Sequence, residues 1–399
     1  MGKDISADET QSKHASEPES IPLGNGDRAT PAPVEGPAET LREPRRRWPL
    51  VANKAGHFLA ALFLLVLSIE LMKGGAEAIA PRLQGTFPVD NMVSTMGLGW
   101  LGAYLVLSGS PVAAASLALF TAGATTQAQT FTMLSGSRLG ASFIVLLVGF
   151  LYAMRQRNRH RRRESIGMGV LALGMTAVVY VPGMFLGYGI LKSGVLSGIT
   201  WRSSAGVDGV VDAVWGPITR LASDLIPGPL LFPVGLAVIL ASFKLLDFVL
   251  PALDGEKHAG ERGHWMKHPW TMFGLGMLAA LLTLSVSVAL TILVPLASKG
   301  YIERREAIPY IAGANITTLA DTLFAAMLLG NPIAVQIVLA QAIAVAIVTV
   351  LILAFLYRPL QRLIMALDEW IVRTTPRLVA FVTILFVMPI ALLFSGRML

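Results

Sequence analysis

Residues 313–322, Gly-Ala-Asn-Ile-Thr-Thr-Leu-Ala-Asp-Thr, crowd hydrogen-bonding groups into an otherwise apolar stretch from Ile308 to Leu329. In hydrocarbon, polar side chains and loosened backbone persist only where they line a cavity or touch other protein. Oxygens at this density are what a dehydrated Na⁺ or a bound oxyanion requires. Gly313, Asn315, Thr317, Thr318, Asp321 and Thr322 are therefore the first candidate ion ligands. Asn315 and the three threonines offer neutral oxygens, and Asp321 supplies a charge. A lone aspartate at mid-helix costs roughly 2.5–3.5 kcal/mol on insertion scales, so it needs a partner or water. A structural hydrogen bond to another helix is its competing role.

A related pattern lies earlier in the chain. A shift of 177 residues sets Gly97-Leu-Gly-Trp-Leu on Gly274-Leu-Gly-Met-Leu, and Leu107-Ser-Gly-Ser110 on Leu284-Ser-Val-Ser287. Without a gap, Gly123 then falls on Gly300, and Gly136-Ser-Arg-Leu-Gly-Ala-Ser142 on Gly313 to Leu319. Glu70 falls on Asp247. Apolar coincidences between membrane segments are cheap, but glycines, serines and acids in one register are not. The pattern is an internal duplication of about 100 residues, a period characteristic of transporter folds.

The elements that hold these residues follow from composition. The chain has 399 residues, 54% of them hydrophobic and 14% charged, with a mean hydropathy of +0.63. These values define a polytopic membrane protein whose solvent is the lipid bilayer. The net charge of +7 comes from arginines at membrane boundaries, which argues against a nucleic-acid partner. With no cysteine, disulfides, thiolate metal sites and cysteine nucleophiles are excluded. The six histidines lack ligand spacing. HExxH, GxSxG and Walker patterns are missing, so no enzyme, cofactor or transition metal is expected. Gly97-Leu-Gly-Trp-Leu-Gly102 spells GxGxxG but follows no strand, which makes it packing glycine.

Charge orients the segments, because basic clusters beside membrane spans favour the cytoplasm. Arg45–Arg47, Arg155–Arg163, Lys257–Lys267, Lys299–Arg305 and Arg358–Arg362 mark inside loops. Segments 81–90, 123–129, 193–224 and 330–332 are poor in basic residues and should face out. Segment 91–122 then begins and ends outside, and 271–298 begins and ends inside, each with a serine-containing interruption near its middle. Each should form a re-entrant hairpin of two half-depth helices. Spans are expected at 53–80, 130–154, 165–192, 228–251, 307–329, 333–357 and 375–395. The expected fold is an all-α polytopic membrane protein of two inverted-topology repeats, each with a re-entrant hairpin and a broken transmembrane helix. Its parts are a disordered cytoplasmic tail, 1–47; a first repeat, 53–192; an extracellular loop, 193–225; a second repeat, 226–357; and a C-terminal transmembrane helix and tail, 358–399. Trp201, Val210, Val211, Val214, Trp215 and Leu221 give the loop an amphipathic piece suited to the outer interface.

A Ser-containing hairpin tip followed downstream by Ile308-Pro-Tyr-Ile-Ala-Gly-Ala-Asn-Ile-Thr-Thr resembles the sodium/phosphate symporter (type II Na/Pi cotransporter) family over roughly 55–355. Each half of that family carries a Gln-Ser-Ser-Ser motif and a later Gly-Ala-Asn-Ile-Gly-Thr-Thr motif. Here Leu107 and Leu284 replace the glutamines, and each serine run is thinned to two. In the first half Arg138 stands at the Asn position and Ala141-Ser142 at Thr-Thr. The resemblance implies Na⁺-driven transport of inorganic phosphate across the cell membrane, with ligands from the four stretches. Another small oxyanion or organic anion is the nearer alternative, and a non-transporting scaffold or sensor the further one.

Within that reading, Ser108, Ser110, Ser285 and Ser287 would hold phosphate oxygens with N–H groups at half-helix starts, joined by Gly136, Ser137, Arg138 and Ser142. Local satisfaction of broken backbone is the serines' alternative role. For Arg138 three roles stand open: a bidentate oxyanion contact, occupation of a cation position, or a pair with Glu70, Asp247 or Asp321. Glu70 and Asp247 are either coupling acids or structurally paired. Asp247 has Lys244 three residues before it as an available partner. Oligomeric state is not encoded in these motifs.

Overall fold

The structure, a computed structural model, describes residues 48–86, 91–201, 205–249, 268–283, 285–299 and 301–395. The expected tail, 1–47, lies outside the described residues, as does the basic loop 257–267. All described elements are helices, with no strand among the described residues. Among the described residues, seven helices are long and apolar enough to cross a membrane: Gly56–Pro81, Gln127–Arg155, Arg159–Ser193, Gly228–Leu245, Arg304–Leu328, Pro332–Val372 and Thr375–Phe394. Each expected span has its counterpart here.

In chain order the first eight helices are α1 (Trp48–Thr86), α2 (Met92–Val106), α3 (Gly109–Thr121), α4 (Gln127–Ala141), α5 (Phe143–Arg155), α6 (Arg159–Ser193), α7 (Ala205–Leu225) and α8 (Gly228–Val249). The remainder are α9 (Pro269–Thr283), α10 (Val286–Thr291), α11 (Leu293–Ser298), α12 (Arg304–Thr317), α13 (Leu319–Leu328), α14 (Pro332–Leu351), α15 (Tyr357–Val372) and α16 (Thr375–Phe394). A π-helical turn, Ile352–Leu356, joins α14 to α15.

The starts are set by side-chain caps. Asn91 receives the Val93 and Ser94 amides at the start of α2, and Thr126 forms a reciprocal box with Gln129 at α4. Glu303 and Glu306 do the same at α12, and Asn331 with Pro332 opens α14. These groups satisfy N–H donors that a helix end leaves unpaired. Helix α2 ends at Leu107, the one described non-glycine residue with positive φ, at 55°, and Ser108 returns to extended backbone. The breaks in α4–α5 and α12–α13 are gentler. Ser142 and Thr318 stay in the right-handed region, so each interruption is one residue deep.

The 177-residue spacing recurs in the coordinates. Met92 and Pro269, Gly109 and Val286, Gln127 and Arg304 open corresponding helices. The glycines repeat their contacts too. A Cβ on Gly99 would strike the Met133 carbonyl oxygen, and one on Gly276 would strike that of Tyr310. A Cβ on Gly136 would strike the Met96 oxygen, and one on Gly313 that of Phe273. Helix α2 thus crosses α4, and α9 crosses α12, backbone against backbone, as small residues allow in a membrane. Gly97 packs against backbone of α16, and Gly102 against Val112 of α3. The GxGxxG run is a packing surface.

Helix α6 runs antiparallel to α4–α5, with Gly187 beside Phe131 and Gly149 beside Ser165. It runs parallel to α12, whose Arg304 reaches Glu164 and whose Asn315 reaches Thr176. Helices α4–α5 and α12–α13 therefore point in opposite directions. Across the middle, α4 packs on α14 as α12 packs on α6, α3 packs on α13 as α10 packs on α5, and α6 packs on α14. The amphipathic stretch of the long loop is helix α7, tied to α1 through the Trp215 indole N–H and the Phe63 carbonyl at 2.9 Å.

The core separates into two apolar clusters. On α4 the change from one to the other falls between Leu134 and Leu139, on α12–α13 between Leu319 and Ala325, and on α14 between Ala340 and Val345. The residues in those gaps include Ser135, Arg138, Asp321, Thr322 and Gln341. A polar layer thus lies between two apolar ones.

Gly274 faces open space, whereas Gly276, two residues on, has no room for a methyl group. Gly276→Ala should lower the detergent-solubilised unfolding temperature by the equivalent of about 1–3 kcal/mol of overpacking. Gly274→Ala should leave it unchanged or raise it, since alanine is the better helix former. Equal shifts in the two variants would contradict the crossing described here.

Candidate functional site

Arg138 lies on the last turn of α4 with its side chain 1% exposed. Two residues before it, Gly136 lets the backbone of α2 approach at Met96 and Trp100. Every partner of the guanidinium comes from another helix. Its Nη1 donates to Ser110 Oγ at 3.3 Å and to Thr318 Oγ1 at 3.0 Å. Its Nη2 donates to Thr322 Oγ1 and lies 3.6 Å from Asp321 Oδ1. Thr322 passes its own proton on to Asp321 Oδ1 at 2.9 Å, and the Ser110 hydroxyl also sits beside that carboxyl.

The local folding explains the convergence. Ser110 occupies the first turn of α3, just beyond the hairpin break. Thr318 is the break residue itself, and Asp321 and Thr322 fill the first turn of α13. A carboxylate there faces the positive end of the helix. Of the three acids open to Arg138, Asp321 is the one it pairs with. The Asp247 side chain lies outside the described residues. Glu70 lines an open cavity of about 210 Å³ with Lys73, Glu77, Thr219 and Ser223.

The pair is incompletely bonded. Arg138 Nε and Asp321 Oδ2 are both buried, and neither has a hydrogen-bond partner. A separation of 3.6 Å is also longer than a charge-assisted hydrogen bond. Two orphan atoms of opposite sign therefore share one buried locus.

The other candidates are placed differently. Asn315 donates from Nδ2 to Thr176 Oγ1 at 3.1 Å, and its carbonyl accepts from the Tyr180 hydroxyl at 2.9 Å. Those contacts bind α12 to α6. Ser137 and Ser142 donate to their own helix at Leu134 and Leu139, and Thr317 does so at Gly313 over 3.4 Å. Gly136 and Gly313 serve the helix crossings. Ser108 caps α3 with backbone alone. Ser285 caps α10 by accepting the Val288 amide, and Ser287 is buried in the first turn of that helix, which packs on α5 and α12. The structure joins Ser110, Arg138, Thr318, Asp321 and Thr322, whereas Ser285 turns its hydroxyl to the start of its own helix.

Three polar residues of the same layer escape a motif-based reading. Thr176, Tyr180 and Gln341 sit singly in apolar spans, and the signal for them is that isolation. Ser135 donates to Gln341 Oε1 at 2.8 Å, and Gln341 Nε2 is a further buried orphan. Also unforeseen is a network at one end of the bundle. Arg304 of α12 bonds Glu164 of α6 at 2.8 Å and Asp368 of α15. Gly167 leaves the room, since a Cβ there would meet Arg304 Nη1 at 2.8 Å. Beside it a cavity of about 530 Å³ is lined by His160, Arg161, Lys299, Glu303 and Arg305, among others. The expected inside markers Arg155–Arg163 and Lys299–Arg305 thus come together at the same end.

Removing one member of a buried ion pair costs about 3–5 kcal/mol, while replacing both by apolar residues is near neutral. Arg138→Met and Asp321→Leu should each lower the unfolding temperature sharply, and the double variant should recover most of the loss. Additive effects would mean that the two charges do not depend on each other. Comparisons with protein-family models, with curated proteins and with solved structures find no match to this chain.

Proposed function

We propose that this chain is a secondary active transporter that couples inward Na⁺ movement to uptake of inorganic phosphate by alternating access in the cell membrane. The observation that carries this reading is the fully enclosed charge pair of Arg138 in one half with Asp321 in the other, ringed by Ser110, Thr318 and Thr322. A binding site at mid-depth between oppositely directed repeats is how such carriers expose one solute to either side in turn. The repeated glycine crossings and the opposed directions of α4–α5 and α12–α13 support an inverted duplication. Helices α2 and α3, of 15 and 13 residues, are too short to cross about 30 Å of hydrocarbon. They fit a re-entrant hairpin, with α9 to α11 as its counterpart, and the N-terminus lies in the cytoplasm.

The ligands divide by chemistry. Arg138 and Ser110 face oxyanion oxygens, while Asp321, Thr318 and Thr322 offer oxygens to Na⁺. Asn315 holds α12 against α6 through Thr176, which makes it a positioning residue for the break at Thr318. A second reading, transport of another small oxyanion, is favoured by one observation: a guanidinium binds any planar or tetrahedral oxyanion. Competition by sulfate or arsenate separates the two.

In proteoliposomes, an inward Na⁺ gradient should raise ³²P-phosphate uptake above that in choline. Thr318→Ala should cut the Na⁺-dependent part by about tenfold, the effect of losing one ligand contact of roughly 1.4 kcal/mol. Uptake equal with and without Na⁺ would remove the symport reading. The orientation has its own check, made clean by the lack of native cysteine. Thr126→Cys and Glu303→Cys should react with impermeant maleimide from opposite faces of the bilayer; labelling from one face would defeat the inversion.

A further inference from the structure

The two orphan atoms, Arg138 Nε and Asp321 Oδ2, lead to a specific account of coupling that rests on the transport reading above. We infer that the Arg138–Asp321 pair is a two-sided receptor that binds an oxyanion and a small hard cation only together. The oxyanion lies on the Nε–Nη2 edge of the guanidinium, and the cation lies on Asp321 Oδ2.

The geometry leads there step by step. An arginine presents Nε–H and one Nη2–H as parallel donors, an edge that matches two oxygens carried on one central atom. Here that edge is half used. Nη2 is engaged by Thr322 and faces Asp321 Oδ1 at 3.6 Å, and Nε has nothing to bond. The opposite edge is taken, since Nη1 already donates to Ser110 and Thr318. The class of anion follows: one with two or more oxygens on the same atom, as in phosphate, sulfate, arsenate or a carboxylate, and not a halide.

The carboxylate is half used in the same way. Oδ1 receives the Thr322 proton and faces the guanidinium, while Oδ2, buried, has no hydrogen-bond partner even though the Ser110 hydroxyl stands beside the carboxyl. An acceptor with spare lone pairs in a dry setting suits a hard cation with oxygen ligands. Beside it the break at Thr318 and the first turn of α13 bring hydroxyl oxygens within the same cluster.

Coupling follows from charge. An oxyanion arriving alone would set a second negative group beside Asp321 and loosen the pair that neutralises it. A cation arriving alone would set a second positive charge beside Arg138. In a low-dielectric site each of these is heavily opposed, whereas the two ions together alternate sign with the resident charges. Each ion therefore raises the affinity of the other. The corresponding places in the 177-residue register lack these charges: Asn315 stands at the position of Arg138, and Ile144 at the position of Asp321. One such receptor, with one cation and one anion, is the consequence.

The test uses the full-length chain in lipid nanodiscs, with inorganic phosphate and Na⁺ as probes. Equilibrium binding of ³²P-phosphate should tighten about tenfold or more when choline is replaced by Na⁺. Binding of ²²Na⁺ should tighten by the same factor when phosphate is added, as linkage requires. Asp321→Asn should keep phosphate binding but make it indifferent to Na⁺. Arg138→Lys, which keeps charge but loses the fork, should weaken phosphate about tenfold in Na⁺. A wild-type protein whose phosphate affinity is the same in Na⁺ and choline overturns the inference, even if Na⁺-driven uptake proceeds. So does an Asp321→Asn variant that retains the Na⁺ dependence. If Asp321→Asn does not fold, Asp321→Glu takes its place: the displaced carboxylate should shift half-saturation by Na⁺ about tenfold, and an unshifted value overturns the inference. Failure of phosphate, sulfate and arsenate alike to bind or be taken up would remove the transport reading, and this inference with it.

Discussion

A guanidinium in the interior of an apolar helical bundle needs an acid, and much of this structure is arranged so that Arg138 has one. The desolvation of two ions amounts to several kcal/mol each even after relaxation, and only close, well-bonded partners offset it. Closeness is supplied by glycine. Gly99, Gly136, Gly276 and Gly313 bring α2 onto α4 and α9 onto α12 with backbones touching. The apolar clusters above and below the charges keep the layer dry. The hydroxyls of Ser110, Thr318 and Thr322 fill donor and acceptor positions that the carboxylate alone leaves open.

The duplicated scaffold and the unduplicated chemistry belong together. Register 177 maps Ser110 on Ser287 and Arg138 on Asn315, so both halves keep a polar group at each of these places. The charge appears in one of them. Asn315, neutral, closes its contacts locally with Thr176 and helps lock α12 to α6. Arg138 reaches across instead to α3 and α13. The repeated glycine crossings are thus shared by both stretches, while the charge pair occupies one locus.

Much of the frame was legible in the sequence because hydrophobic length and small-residue spacing are local properties. All seven spans, both pairs of short helices and the breaks near 108, 142, 285 and 318 stand where hydropathy, serines and glycines place them. The partner of Arg138 was not legible. Glu70, Asp247 and Asp321 are each isolated acids in apolar segments, and only the relative direction of α4 and α13 decides among them. Gln341, Thr176 and Tyr180 carry no motif, since each is a single polar residue whose use depends on the helix opposite. Asp368 was hidden for a different reason. Helix α15 is amphipathic and looks like an interfacial segment, so a fully buried acid on it becomes visible only once Arg304 is seen to reach it.

The two buried ion networks differ in a way that bears on their roles. Arg304 lies near the end of the bundle with its side chain 16% exposed and bonds two acids, so its desolvation is partial, although Asp368 Oδ1 is a buried oxygen without a partner. It ties α6, α12 and α15 together at modest cost. Arg138 is fully enclosed, its acid stands 3.6 Å away, and one atom of each partner is unbonded. For stability alone a methionine and a leucine would fill that space as well or better. Full enclosure and a 3.6 Å separation set the central pair apart from the end network, where Arg304 meets Glu164 at 2.8 Å with both side chains partly exposed. What the central pair holds that apolar residues would not is an unsatisfied buried donor on Arg138 and an unsatisfied buried acceptor on Asp321, the two kinds of group that the proposed uptake of an anion with a cation calls for.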